Sequence, residues 1–153
     1  MLLRDECAPD VTVFGMSHVG VSLALLCAMS GLHVTGIDIN KTVLQSIMSG
    51  VSPFHEPELT EILKKMLSGK DFSLSASPVP SDFFIIAVPT PITADSFEPD
   101  LSVLQHAAYS IAPHLKIGNT VVIESTIPAG TTRMFSGWLA CRKTLGYYIA
   151  AHT

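Results

Sequence analysis

The chain has 153 residues, of which 48% are hydrophobic and 14% are charged, and its net charge is −4 at pH 7. This length fits a single domain that can bury a substantial core. The negative charge, without any cluster of lysine or arginine, argues against a nucleic-acid-binding surface.

Neither a membrane span nor a signal peptide is expected. The longest nearly apolar stretch, Val19 to Met29, has 11 residues and is too short to cross a bilayer. The segment from Met1 to Asp10 carries acids and lacks an apolar run. The three cysteines are Cys7, Cys27 and Cys141. Their spacing is not that of a metal site or a redox motif, so they are expected to be free thiols of a cytoplasmic protein.

The chain opens with the pattern of a βαβ unit. Val11 to Phe14 is a β-branched and aromatic run that stops at Gly15. Val21 to Met29 is rich in Leu and Ala and predicts a helix, and His33 to Ile37 returns to strand character. A strand, a glycine turn, a helix and a second strand within about 30 residues predict two parallel strands with a right-handed crossover.

The alternation continues to the end of the chain. The further predicted helices are Lys41–Met48, an amphipathic Glu58–Leu67 and Leu101–Ala112, and the further predicted strands are Phe72–Ser75, Phe83–Val88, Thr120–Ile123 and Tyr147–Ala150. The pattern predicts a doubly wound α/β domain of the Rossmann type, with a mostly parallel sheet of about six strands and helices on both faces. We place this domain at residues 10–153, after a tail of residues 1–9.

The turn from Gly15 to Gly20 has the context of a phosphate-binding loop. Gly15 permits a tight turn, Gly20 lets the helix pack closely on the strand, and the N–H groups at the helix start favour a pyrophosphate. Ser17 occupies the middle glycine position of G-x-G-x-x-G. Its hydroxyl would bond a phosphate oxygen, or its Cβ would crowd that oxygen. The alternative is an ordinary connection between a strand and a helix.

Asp38 lies 18 residues after Gly20, at the end of the second predicted strand. An acid at this position accepts hydrogen bonds from the adenosine ribose of a dinucleotide and repels a 2′-phosphate, so NAD is preferred over NADP. The alternative is a helix N-cap for the segment that starts at Lys41, for which Asn40 is nearer.

Two later loops follow buried strands and would border the same crevice. In the first, two prolines hold the Thr90 hydroxyl, and in the second, Glu124 to Thr132, hydroxyls and a glycine precede a helix. Each loop is also compatible with a purely structural role. The six histidines lack paired metal spacing, so no metal site is predicted.

Six segments of the chain resemble the UDP-glucose/GDP-mannose dehydrogenase family, most closely its UDP-N-acetyl-D-mannosamine dehydrogenase branch. They occur in the family's order over nearly the whole chain: Val13–Leu25, Val34–Asn40, Gly50–Leu59, Ile86–Pro91, Pro99–Leu101 and Glu124–Thr132. The resemblance implies a nucleotide-sugar dehydrogenase that oxidises the C6 alcohol of a UDP-sugar to a carboxylate with two NAD in succession.

The resemblance also implies roles for particular residues. The pyrophosphate would lie on the glycine turn, and the ribose would contact the acid at the end of the second predicted strand. The nicotinamide would lie near the two later loops. The implied cofactor-binding set is Gly15, Ser17, His18, Val19, Gly20, Asp38, Thr90, Glu124, Thr126 and Thr132.

The chain departs from the family pattern in two residues and in its extent. Ser17 stands where the family has glycine, and His18 where it usually has tyrosine. The family's catalytic cysteine, lysine and glutamate would lie beyond Thr153, together with its sugar-nucleotide-binding domain and homodimer interface. No catalytic residue is therefore predicted here, and the chain alone is expected to bind NAD without turning over a UDP-sugar. The alternative is a non-catalytic nucleotide-binding or interaction module on the same fold.

Overall fold

In the computed structural model, a parallel sheet is covered by helices on both faces, and residues 9–52, 54, 57–93, 98–140 and 148–151 are described. The strands are β1 (Val11–Phe14), β2 (Val34–Ile37), β3 (Phe72–Ser75), β4 (Phe83–Ile86), β5 (Thr120–Ile123) and β6 (Tyr148–Ala151). The helices are α1 (His18–Met29), α2 (Lys41–Met48), α3 (Pro57–Leu67), α4 (Ser102–Ile111) and α5 (Thr131–Ala140), and a 3₁₀ turn, Ala112–His114, follows α4.

The order of the strands in the sheet is β3-β2-β1-β4-β5-β6, and every neighbouring pair is parallel. The chain builds outward from β1 to β3, then returns to place β4 on the other side of β1. This reversal makes the carboxyl ends of β1 and β4 the switch point where doubly wound folds bind ligands. The predicted Rossmann-type α/β fold is confirmed.

Each face of the sheet has its own apolar core. On one face, α1, α2 and α3 pack on the sheet, and Val13, Val21, Ile47 and Leu63 are completely buried there. On the other face, α4 and α5 bury Phe84 and Phe135, together with residues of β4 and β5. Two covered faces explain why the inner strands β4 and β5 are nearly continuous in apolar residues, whereas the edge strand β3 alternates.

Several element boundaries differ from the sequence prediction. Helix α1 begins at His18, three residues before the predicted Val21, so the second half of the glycine turn is already helical. Strand β4 ends at Ile86 rather than Val88, and β6 ends at Ala151. The amphipathic character of α3 is confirmed, since Leu59 and Leu63 are buried while Glu61, Lys64 and Lys65 are exposed.

Some predictions fall outside the described residues. These are the predicted tail up to residue 8, the thiols of Cys7 and Cys141, and Tyr147, the predicted start of the last strand. The described Cys27 is a half-buried free thiol in α1, and burial raises its pKa, which fits a packing role. Among the described residues, no helix combines the length and the apolar character needed to cross a bilayer.

Candidate cofactor-binding site

Four strands end level with one another at the carboxyl edge of the sheet. Phe14 of β1 pairs with Ile37 of β2 and with Ile86 of β4, and Ile86 pairs with Ile123 of β5. The next residue along each strand therefore falls into one row, which consists of Asp38, Gly15, Ala87 and Glu124. Three predicted site residues thus come together because of the register of the sheet.

The backbone of the glycine turn leaves no room for side chains at its two glycines. Gly15 has φ +89°, and a Cβ there would lie 2.5 Å from the Ala87 carbonyl oxygen. A Cβ on Gly20 would lie 1.7 Å from the carbonyl oxygen of Gly15. Both glycines are therefore required for α1 to start directly against β1 and β4.

The start of α1 is suited to an anion. The Ser17 side chain makes no capping hydrogen bond, and the first turn contains no acidic residue. The first intrahelical bond runs from the Val21 N–H to the Ser17 carbonyl, so the N–H groups of the first turn lack intrahelical acceptors. Such N–H groups and the positive end of the helix dipole fit a pyrophosphate.

The two residues that depart from the family pattern lie at this helix start. The Ser17 hydroxyl donates to the Ala87 carbonyl at 3.3 Å, which directs its proton toward the exit of β4 rather than toward a ligand. His18 is exposed, and its ring meets the Phe54 ring edge to face, with the ring centroids 5.3 Å apart. Val19, the next residue, is 50% exposed.

Asp38 is held by two backbone N–H groups. One carboxylate oxygen accepts from the Met16 N–H at 2.8 Å, and the other accepts from the Asn40 N–H at 2.8 Å. The N-cap of α2 is Asn40, whose side chain accepts from the Thr42 N–H at 3.0 Å. The alternative role of Asp38 as that cap is therefore wrong.

Hydroxyl groups join the loops that follow β4 and β5. The Thr90 hydroxyl donates to the Thr126 carbonyl at 2.7 Å, and the buried Ser125 hydroxyl donates to the Val88 carbonyl at 2.7 Å. The Glu124 N–H donates to the Ile86 carbonyl at 2.9 Å, which extends the sheet by one residue. The two predicted loops are thus one connected wall beside the glycine turn.

Thr132 lies in the first turn of α5 and is not part of the row of strand ends. It lines a cavity of about 430 Å³ with Arg133, Ser136 and Ile149. This cavity is on the β5–β6 side of the fold, whereas the switch point lies between β1 and β4. The glycine turn and Asp38 meet at the switch point, not at this cavity.

Three residues of the site were not predicted from the sequence: Met16, Ala87 and Ser125. Met16 contributes a backbone N–H, Ala87 a backbone carbonyl, and Ser125 a hydroxyl that joins two loops. Each of these contacts is made between residues at least 22 positions apart in the sequence. Signals existed for two of them. Ser125 belongs to the predicted hydroxyl-rich loop from Glu124 to Thr132, and Gly36 within a strand indicates a close approach by a neighbouring group, which is Met16. Within the part of the chain that the structure describes, no group of three or more His, Cys, Asp or Glu is arranged to hold a metal ion.

Comparison with known proteins gives a consistent result. The model of the UDP-glucose/GDP-mannose dehydrogenase family, NAD binding domain, matches residues 9–150. A UDP-N-acetyl-D-mannosamine dehydrogenase from Escherichia coli is 38% identical over 130 residues, which are 85% of this chain and 31% of that protein. An NDP-N-acetyl-D-galactosaminuronic acid dehydrogenase from Ralstonia nicotianae is 38% identical over 133 residues, which are 87% of this chain and 31% of that protein.

The structural similarity is equally extensive. A solved UDP-D-ManNAc dehydrogenase from Pyrococcus horikoshii superposes with a TM-score of 0.80 at 35% identity, covering 92% of this chain and 35% of that one. The chain spans only 31% of the length of the curated relatives it matches.

Proposed function

The chain belongs to the UDP-glucose/GDP-mannose dehydrogenase family and spans its NAD-binding domain, and we propose that it binds NAD in the crevice between β1 and β4. The observation that carries this proposal is the level row of strand ends, which sets the glycine turn beside Asp38. A phosphate site and a ribose acceptor in adjacent positions are what a dinucleotide requires.

The proposed contacts follow from the geometry of the row. The backbone N–H groups of His18, Val19 and Gly20 would hold the pyrophosphate. Asp38 would accept from the ribose hydroxyls, since each carboxylate oxygen has a second lone pair beyond its present hydrogen bond. NAD supplies a hydride acceptor when it is bound.

The remaining predicted residues would form the nicotinamide side of the crevice. Thr90 and Thr126 stand on the joined loops after β4 and β5, and Glu124 begins the second of these loops. Thr132 is the exception, because it lies on α5 and lines the cavity on the β5–β6 side, so no place in the crevice is proposed for it. The Thr90 hydroxyl is already bonded to the Thr126 carbonyl, so in our proposal it supports the wall and presents its oxygen to the cofactor as an acceptor.

The proposed reaction is oxidation of the C6 alcohol of a UDP-sugar to a carboxylate with two NAD, in the cytoplasm. UDP-N-acetyl-D-mannosamine is the favoured substrate type because relatives at 38% identity carry that name. The catalytic and sugar-binding groups, and a homodimer interface, would come from the portion of the relatives that this chain does not span. The chain alone is therefore proposed to bind NAD without turnover.

Titration calorimetry with NAD and NADP tests this proposal. We expect NAD to bind at least tenfold more tightly than NADP, because the Asp38 carboxylate repels a 2′-phosphate. Asp38→Asn should reduce this preference. Asp71→Asn is the matched control, because it removes the same charge just before β3, at the opposite edge of the sheet. No NAD binding at millimolar ligand would contradict the proposal and favour a non-catalytic interaction module.

A further inference from the structure

The glycine turn contacts β2 and the residue that follows it, Asp38, at three points. The Gly15 N–H donates to the Ile37 carbonyl at 2.8 Å, and the Met16 N–H donates to the Asp38 carboxylate at 2.8 Å. The third point is the Met16 side chain, which is 1% exposed and lies over Gly36, where an added Cβ would be 2.5 Å from its sulfur. Only one of these three points depends on an ionisable side chain.

The carboxylate of Asp38 is oriented by hydrogen bonds to the backbone. Its two oxygens accept from backbone N–H groups on opposite sides, those of Met16 and Asn40. Because Asn40 caps α2, the carboxylate connects the glycine turn to the end of β2 and to the start of the next helix. Groups held in this way cost little reorganisation when a ligand arrives.

From this geometry we infer that Asp38 is a positioning residue for the pyrophosphate turn, in addition to its proposed role as ribose acceptor. The Met16 N–H lies one residue before Ser17, at which α1 is capped. A hydrogen bond at this point fixes the direction in which the first N–H groups of α1 face. Its effect on ligands rests on the proposed function, whereas its effect on the turn does not.

Two variants of the same charge separate positioning from electrostatics. Asp38→Asn and Asp38→Ala both remove the negative charge, which by itself would strengthen binding of any anion. The alanine keeps no acceptor, whereas the asparagine keeps one oxygen for the two N–H groups of Met16 and Asn40. Inorganic pyrophosphate is the probe, because it has no ribose and reports the turn alone.

We expect Asp38→Ala to bind pyrophosphate about fivefold more weakly than Asp38→Asn, the factor expected for one lost hydrogen bond. Hydrogen exchange by NMR should show the Met16 N–H exchanging about tenfold faster in Asp38→Ala than in the wild type, with Asp38→Asn between them. Asn40→Ala is the control, because it removes the α2 cap but keeps the Asp38 carboxylate, and it should leave the Met16 exchange rate unchanged.

A Met16 exchange rate in Asp38→Ala equal to that of the wild type would overturn the inference, as would equal pyrophosphate affinities in the wild type and a folded Asp38→Ala, once the lost charge is matched by Asp71→Asn. Failure of the proposed function looks different. In that case the wild type would bind neither NAD nor pyrophosphate, while the Met16 exchange rates would still decide whether Asp38 holds the turn.

Discussion

At the centre of the glycine turn, the hydroxyl of Ser17 is bonded to the Ala87 carbonyl. In the proposed site, its Cβ would lie where the pyrophosphate approaches the backbone. We expect Ser17→Gly to bind NAD several-fold more tightly, because the crowding carbon is removed. Ser17→Ala retains that carbon and should stay within about twofold of the wild type. A marked loss of NAD affinity in Ser17→Ala, measured by calorimetry, would show instead that the hydroxyl donates to phosphate.

Two helical glycines respond to the same substitution in opposite directions. In Gly20→Ala the new Cβ would lie 1.7 Å from the Gly15 carbonyl oxygen, so we expect a loss of about 1–3 kcal/mol in the free energy of unfolding and weaker NAD binding. Among the residues that the structure describes, no heavy atom outside the helix backbone and the chain neighbours lies within 4 Å of a Cβ added to Gly137 in α5. Gly137→Ala should therefore stabilise the protein by about 0.5–1 kcal/mol. Urea denaturation measures both, and equal effects would contradict the steric argument.

The individual residues of the site were predictable from the sequence to different extents. Asp38 and the glycines stand at fixed distances within one βαβ unit, so local spacing is enough to identify them. The acceptor of the Ser17 hydroxyl lies 70 residues away, and it is a backbone carbonyl that any residue type would supply. Sequence spacing carries no information about such a contact.

At the scale of elements, the ionisation of Asp100 affects how stable the start of α4 is. Its carboxylate accepts from the Ser102 N–H at 2.9 Å, and this bond, followed by one from the Ser102 hydroxyl, lowers the pKa of Asp100 below its ordinary 3.8. Because the folded-state pKa is the lower one, the stabilisation is present above about pH 4 and is lost as the pH falls through the folded-state pKa.

We therefore expect Asp100→Ala to lower the Tm at pH 7 and to have little effect at about pH 2. Thermal unfolding of both proteins across this range, followed by circular dichroism, tests the expectation. A Tm difference that stays constant with pH would contradict it.

The elements themselves were predicted more reliably than their ends. The continuous apolar runs identified the buried strands, whereas the start of α1 was placed three residues late. Gly20 has a poor helix propensity, which favours a later start on sequence grounds. Packing outweighs this low propensity. The helix begins at His18 and lies against the Gly15 carbonyl, and such a close approach is possible only because Gly20 lacks a Cβ.

At the scale of the whole molecule, the two neighbouring phenylalanines of β4 differ in how deeply their side chains are buried. Phe84 is completely buried in the core under α4 and α5, whereas Phe83 is 47% exposed. We expect Phe84→Ala to lower the free energy of unfolding by about 3–5 kcal/mol, a large share of the total of about 5–15 kcal/mol for a domain of this kind.

Phe83→Ala, the matched control, changes the same residue type in the same strand and should cost about 1 kcal/mol or less, because much of its side chain is already in water. Chemical denaturation of both variants gives the comparison. β4 leads directly into Ala87 and the loop to Thr90, which border the proposed site. Phe84→Ala should therefore weaken NAD binding as well, whereas Phe83→Ala should not. Equal losses of stability would contradict the placement of Phe84 in a core that supports the crevice.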